Sequence, residues 1–222
     1  MPRTMDIETA RKEVHPRSPP DGDRLLAVLD DAVGALRRAD VRFLLMGGLA
    51  TSVLGRARRA TDIDLFVHDR DVGAALAALG ASGFETIVVS PNWLAKGLKD
   101  DVVVDVISRS THDISLSEEI VEHAIEIDVQ GRPLPCVAPE DLIVMKAVAT
   151  TEDTARYWYD ALGLLGRQDL DWEYLMRRAK QHGARRVAAL LFFAQSMDLL
   201  VPEAIVDDLL DAVRPGPART DD

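Results

Sequence analysis

The chain has 222 residues, 47% of them hydrophobic and only 5% aromatic. That length buries a core of Leu, Val, Ile and Ala without staples, which suits one large domain or a catalytic domain with a helical appendage and excludes a disordered chain. The net charge of −11, from 26 Lys+Arg against 37 Asp+Glu, repels polyanions at long range and argues against a non-specific nucleic-acid coat; an enzyme that grips one nucleotide through local arginines and a metal remains open.

Residues 1–21 are rich in Pro, Arg and Asp and have no hydrophobic period, so they read as a mobile arm without a secretory h-region. From Asp23 to Ala39 the apolar positions Leu25, Leu26, Val28, Leu29, Val33 and Leu36 follow helical spacing. Val41 to Met46 is an apolar run closed by Gly47-Gly48, which predicts a buried strand ending in a turn. Leu49 to Leu54 then predicts a short helix, Arg56 to Thr61 a basic loop, and Asp62 to Val67 a second strand. Asp71 to Ser82 is an Ala/Leu helix stopped by Gly83. Thr86 to Ser90 is β-branched, and Val102 to Ile107 is the most strand-prone run in the chain. Trp93 falls in a predicted loop between them. Ala124 to Val137, with Gly131-Arg132-Pro133 at its middle, predicts a hairpin.

After Pro139 the character changes. Glu140 to Ala149, Asp153 to Leu165, Trp172 to His182, Arg185 to Leu199 and Glu203 to Val213 all predict helices, the last with Pro202 at its start. The expected organisation is therefore an N-terminal arm over 1–21, a mixed α/β catalytic domain over 22–138, a helical domain over 139–213 and a disordered tail over 214–222. The most apolar segment, Val187 to Val201, is interrupted by Gln195, Ser196 and Asp198 and is too short to span a bilayer. The single cysteine, Cys136, forms no internal disulfide and no zinc cluster. A cytoplasmic protein with no membrane partner is expected.

Three features carry chemistry together. Gly47-Gly48 sits between a strand and a helix, where glycine allows close approach of a ligand and the first helical amides can hold phosphate oxygens. Asp62 and Asp64 are two apart on a strand and so project to one face, while Ile63 and Leu65 face the core. Two carboxylates this close resist joint ionisation unless a hard divalent cation, magnesium or manganese, lies between them. Asp105 interrupts a buried run and needs a partner or a metal. Beside Asp62 and Asp64 it completes a three-carboxylate cage. Such a cage, holding two ions, would orient an NTP, stabilise the leaving pyrophosphate and activate an acceptor hydroxyl, whose proton Asp105 can receive. Each feature also has a structural reading: a turn, a solvated edge, a strand-end Asp bonded to amides.

Met46-Gly47-Gly48, thirteen residues, Asp62-Ile63-Asp64-Leu65, then Val104-Asp105-Val106 resembles the hallmark of the polymerase-β nucleotidyltransferase superfamily. The resemblance implies an α+β fold: a mixed nucleotidyltransferase sheet flanked by helices, with the aspartate pair on one strand, the third aspartate on a neighbour, and a C-terminal helical bundle behind. It implies NTP as substrate and magnesium or manganese as cofactor. Pro139 to Lys146, then Arg156 and Asp160, then Leu170 to Leu175, is similar to the AbiEii-like nucleotidyltransferase toxins of type IV toxin–antitoxin systems. That similarity implies Lys146 and Asp160 as further residues needed for activity, the tRNA 3′ end as acceptor, and a cognate antitoxin as partner. Two departures stand out: Ala60 occupies the family's Ser/Thr place, leaving Thr61 adjacent to Asp62, and the Lys146–Asp160 interval is stretched.

Arg56, Arg58 and Arg59 form the densest basic spot in an acidic chain. Arg58 and Arg59, with Gly47, Gly48 and Thr61, are the expected nucleotide-binding set; an ordinary solvated loop is the alternative. Lys146 lies in an apolar stretch and must snorkel or find an acid: a phosphate, a metal-site carboxylate, or a salt bridge with Glu140, Asp141 or Asp160. Of Tyr157, Trp158 and Tyr159, at most one or two can face a base, and Trp158 is expected in the core. His112, His123 and His182 have no metal spacing. The functional expectation is nucleotidyl transfer to RNA. The rivals are transfer to a protein hydroxyl, transfer to a small molecule such as an aminoglycoside, and a non-catalytic nucleotide-binding module, whose usual mark is a missing aspartate.

Overall fold

The computed structural model describes residues 3–4, 20–167 and 169–214. The chain divides into two compact units, Met1–Ala138 and Pro139–Asp222.

The first unit is built on an eight-stranded mixed sheet. Its strands are β1 (Arg3–Thr4), β2 (Phe43–Met46), β3 (Asp62–Val67), β4 (Glu85–Ser90), β5 (Leu94–Lys99), β6 (Val102–Ile107), β9 (Ile125–Asp128) and β10 (Pro133–Cys136), after the separate pair β7 (Arg109–Ser110) and β8 (Ile114–Ser115). The order across the sheet is β1-β4-β5-β6-β3-β2-β10-β9. β3 and β6 run parallel, although they are far apart in sequence, and β2 runs antiparallel to β3 on its other side.

Helix α1 (Gly22–Arg38) carries its apolar stripe from Leu25 to Leu36 inward and is capped by Asp21, whose carboxylate accepts from the Arg24 amide at 2.8 Å. It packs against α3 (Val72–Ala81) and the central strands β3 and β6. Helix α2 (Gly47–Leu54) begins on the two glycines themselves, two residues earlier than the apolar pattern predicts. The short α4 (Glu118–Glu122) was not expected from the sequence.

Trp93 lies in a turn, where a loop is expected, and the segment after it, for which no element is predicted, is strand β5, which pairs along its length with both β4 and β6. It joins β6 through Asp100 and Asp101, at φ of 50° and 59°. Two consecutive positive φ values match the twist of a two-residue hairpin turn, and aspartate tolerates them better than most residues. Of the N-terminal arm, Arg3–Thr4 pairs in parallel with β4; the rest of residues 1–19, like the tail from 215, lies outside the described residues.

The second unit is helical: α5 (Pro139–Ala149), α6 (Arg156–Leu165), α7 (Trp172–His182), α8 (Ala184–Ser196) and α9 (Glu203–Val213). Helix α6 starts three residues later than expected and α8 ends three earlier: Asp153 to Ala155 and Met197-Asp198 form turns instead. α5 is buried from Pro139 to Val148 and packs against α6, α7 and α8. A helix buried on every side must satisfy its polar residues internally. Glu140 accepts the Asp171 amide at 2.7 Å, while Asp141 accepts from Tyr174 Oη and, at 2.6 Å, from Arg178 Nε. No helix among the described residues is long and apolar enough to cross a membrane.

Candidate active site

β3 puts Asp62 and Asp64 on one face, and Ile63 and Leu65 are fully buried on the other. In the parallel pairing of β3 with β6, Asp64 lies directly in register with Asp105. Cross-strand neighbours on one face stand close enough for their side chains to meet. One carboxylate oxygen from each of Asp62, Asp64 and Asp105 lies within 4.8 Å of the other two. All three side chains are half-buried.

Gly47 makes this approach possible. Its φ is +66°, and a Cβ built on it would stand 1.8 Å from Asp64 Oδ2 and 2.7 Å from Asp64 Cβ. The turn therefore presses directly against the Asp64 side chain. The Gly48 amide donates to Asp64 Oδ2 at 3.2 Å, so this helix-start amide holds a carboxylate in the structure, where the sequence suggested phosphate. Thr51 Oγ1 donates back to the Gly47 and Gly48 carbonyls at 2.9 and 3.1 Å, which locks the first turn.

The basic loop divides its work. Arg58 lies over Gly48, with Nη2 3.0 Å from where a Cβ would be, and donates from Nη1 to the Arg59 carbonyl at 3.3 Å. Arg59 donates from Nη2 to the Pro20 carbonyl. Thr61 Oγ1 donates to Asp62 Oδ1 at 3.3 Å. Arg58 and Thr61 thus stand next to the carboxylate cluster, and Arg59 is directed at the segment before α1.

The sequence reading missed Lys96. It sits on β5 in register with Asp105, and its Nζ donates to Asp105 Oδ1 at 2.6 Å. Leu94 to Lys99 carries no apolar–polar alternation; the signal in the sequence was the turn-forming pair Asp100-Asp101 placed just before the strand-prone run from Val102.

In the second unit, Lys146 and Asp160 meet each other. Nζ is 3.5 Å from Asp160 Oδ2 and 4.1 Å from the centre of the Tyr157 ring. Both residues are buried, Asp160 almost completely. Trp158 is half-buried and meets Phe193 at 6.3 Å between ring centres, while Tyr159 is exposed.

Three clustered carboxylates with no imidazole or thiolate among them are a hard-oxygen donor set. They fit magnesium or manganese, and the crowding of Asp64 by Gly47 shows that the donors are positioned by the backbone. Residues 21–197 match the model of a family described as uncharacterised nucleotidyltransferase. The chain belongs to that family. This nucleotidyltransferase is therefore an enzyme of a class that uses NTP and divalent metal. No curated protein matches it. Among solved structures, the antibiotic-resistance factor ANT(2'')-Ia in solution is 15% identical, with a TM-score of 0.51 over 81% of this chain and 96% of that one. The lincosamide adenylyltransferase LnuA, bound to lincomycin, is 16% identical over 66% and 99%, with a TM-score of 0.48. An antigenic nucleotidyltransferase-like protein from Paracoccidioides brasiliensis is 15% identical over 86% and 95%, with a TM-score of 0.49. At such identity the first likeness speaks for the fold: an α+β nucleotidyltransferase sheet flanked by helices, with a helical bundle after it.

Proposed function

We propose that the enzyme transfers a nucleoside monophosphate from NTP to an acceptor hydroxyl, with Asp62, Asp64 and Asp105 as the ligands of magnesium or manganese. The supporting observation is the convergence of three carboxylates from two strands within 4.8 Å. Bound there, the metal would supply charge neutralisation for the triphosphate and a lowered pKa for the attacking hydroxyl. The chain's own residues do the rest. Arg58 and Thr61, which stand next to the carboxylates, orient the phosphates with the Gly47-Gly48 turn; Arg59, bonded to the Pro20 carbonyl, would join them only by leaving it. Asp105 receives the acceptor's proton as its oxygen bonds to the α-phosphorus and the bond to pyrophosphate breaks. Lys146 and Asp160, both in the second unit and both buried, act as a pair in which Asp160 holds Lys146.

The likeness of the Lys146 and Asp160 region to AbiEii-like toxins supports the tRNA 3′ end as acceptor, in a cytoplasmic toxin restrained by an antitoxin. A second reading, transfer to a small molecule such as an aminoglycoside or to a protein hydroxyl, is favoured by the net charge of −11, which disfavours a polyanionic partner. One experiment separates them. The enzyme is incubated with each labelled NTP, magnesium, and total tRNA, an aminoglycoside panel or host lysate protein. Label in tRNA supports the first reading, and label in drug or protein the second. Label in none of them, with all four NTPs tried, removes the proposal, as does an Asp64→Asn variant that labels as well as the parent.

A further inference from the structure

Lys96, Asp105 and Asp64 form one cross-strand row on β5, β6 and β3, each in direct register with the next. Lys96 Nζ stands 2.6 Å from Asp105 Oδ1, and the two side chains keep only 17% and 14% of their exposure. Across the other side of its strand, Lys96 is in register with Ile87. Ile87, Val89 and Val103 form a buried apolar cluster with Leu94 and Leu98 packed on it. The ammonium is thus held against the carboxylate cluster beside apolar side chains, where water screens charge poorly and the pair interacts more strongly than on an open surface.

We propose that Lys96 is a positioning residue that serves as the built-in counter-cation of the aspartate cluster, holding Asp105 and weakening the grip on a divalent ion until nucleotide arrives. This rests on the reading of Asp62, Asp64 and Asp105 as the metal site. Three anionic side chains forced together repel one another, and one fixed positive charge relieves part of that repulsion. The same charge opposes any cation that shares Asp105 with it. A divalent ion alone must therefore displace or tolerate Lys96, whereas an NTP brings negative charge that attracts ion and ammonium together. Metal occupancy becomes linked to nucleotide occupancy.

The test uses manganese alone, without nucleotide, titrated into the full chain while free manganese is read by electron paramagnetic resonance. Lys96→Met is expected to bind manganese about fivefold or more tightly than the parent, because the opposing charge is gone. Lys96→Arg, which keeps the charge, is expected to bind like the parent. Lys96→Gln removes the charge but can still donate to Asp105, and carries the same expectation if the methionine variant melts early. Equal or weaker binding by the neutral variants overturns the proposal. Failure of both neutral variants to fold also overturns it, since Lys96 is then a structural ion pair. If the parent binds no manganese, or binds it equally after Asp64→Asn, the metal-site reading itself falls, and this inference with it.

Discussion

Gly47→Ala tests whether the turn against Asp64 is what shapes the site. The added Cβ would lie 1.8 Å from Oδ2, 2.3 Å from Cγ and 2.7 Å from Cβ of Asp64. Rotating the carboxylate away relieves the first two contacts but not the third, because the β3 backbone fixes Asp64 Cβ. The start of α2 must therefore move off the strand. Alanine at φ +66° costs about 1–2 kcal/mol. Loss of the bond from the Gly48 amide to the Asp64 carboxylate costs about 1.5–3 kcal/mol. The expected destabilisation is roughly 3–5 kcal/mol, a large share of the ~5–15 kcal/mol that holds a domain together. Urea denaturation followed by circular dichroism measures it, and manganese binding at low denaturant reports the site. Gly48→Ala is the control. The nearest atoms to its Cβ are those of the Arg58 guanidinium, the far end of a long side chain, at 3.0 Å, and alanine is the better helix former by about 1 kcal/mol, so stability should hold or rise. A Gly47→Ala protein within about 0.5 kcal/mol of the parent, with unchanged manganese affinity, would refute the reasoning.

Asp64→Asn should cut nucleotidyl transfer by about a hundredfold or more, since metal-ion charge stabilisation is worth several kcal/mol, while the melting temperature without metal stays level or rises as carboxylate repulsion is relieved; a fall in both would make Asp64 structural. Arg178→Met leaves Asp141 buried at 1% exposure without its guanidinium and should cost roughly 3–5 kcal/mol in urea unfolding. Burial holds the Glu140 carboxyl above its ordinary range, against the lowering effect of the Asp171 amide. The charged form is therefore penalised in the fold, and the native state binds more protons than the unfolded chain just above the ordinary carboxyl range. Glu140 accordingly contributes more favourably below its unfolded pKa, and that advantage is lost as pH rises through the raised folded pKa. The melting temperature of Glu140→Gln relative to the parent should be more favourable at pH 7 than at pH 4; the opposite order contradicts the assignment. Burial pushes the Cys136 thiol up to about 12, so a disulfide reagent at pH 8 should react with it only after urea is added.

Much of the local structure was legible along the chain. The stripe from Leu25 to Leu36, the alternation through Asp62, Ile63 and Asp64, and the Gly47-Gly48 turn each express a backbone period or a conformational allowance within a few residues. The ends of α6 and α8 were less so, because Asp153 to Ala155 and Met197-Asp198 turn where the local pattern would let a helix continue. β5 was missed for a related reason: a strand containing Lys96 and Gly97 has little intrinsic preference, and it forms because β4 and β6 pair on both sides of it.

The sequence by itself determined that Asp62 and Asp64 share a face, since side chains alternate along any strand. It also required that Asp105 and Lys146 find partners, since burying a lone charge is costly. Which partners they found was decided only in three dimensions. Asp105 meets Asp64 because β6 inserts beside β3 in parallel register, and it meets Lys96 because β5 covers the other edge of β6. Lys146 found Asp160, and Asp141 found Arg178 and Tyr174, across the packing of neighbouring helices. Strand order and helix pairing are set by how apolar faces are buried over the whole unit, and no local pattern encodes them.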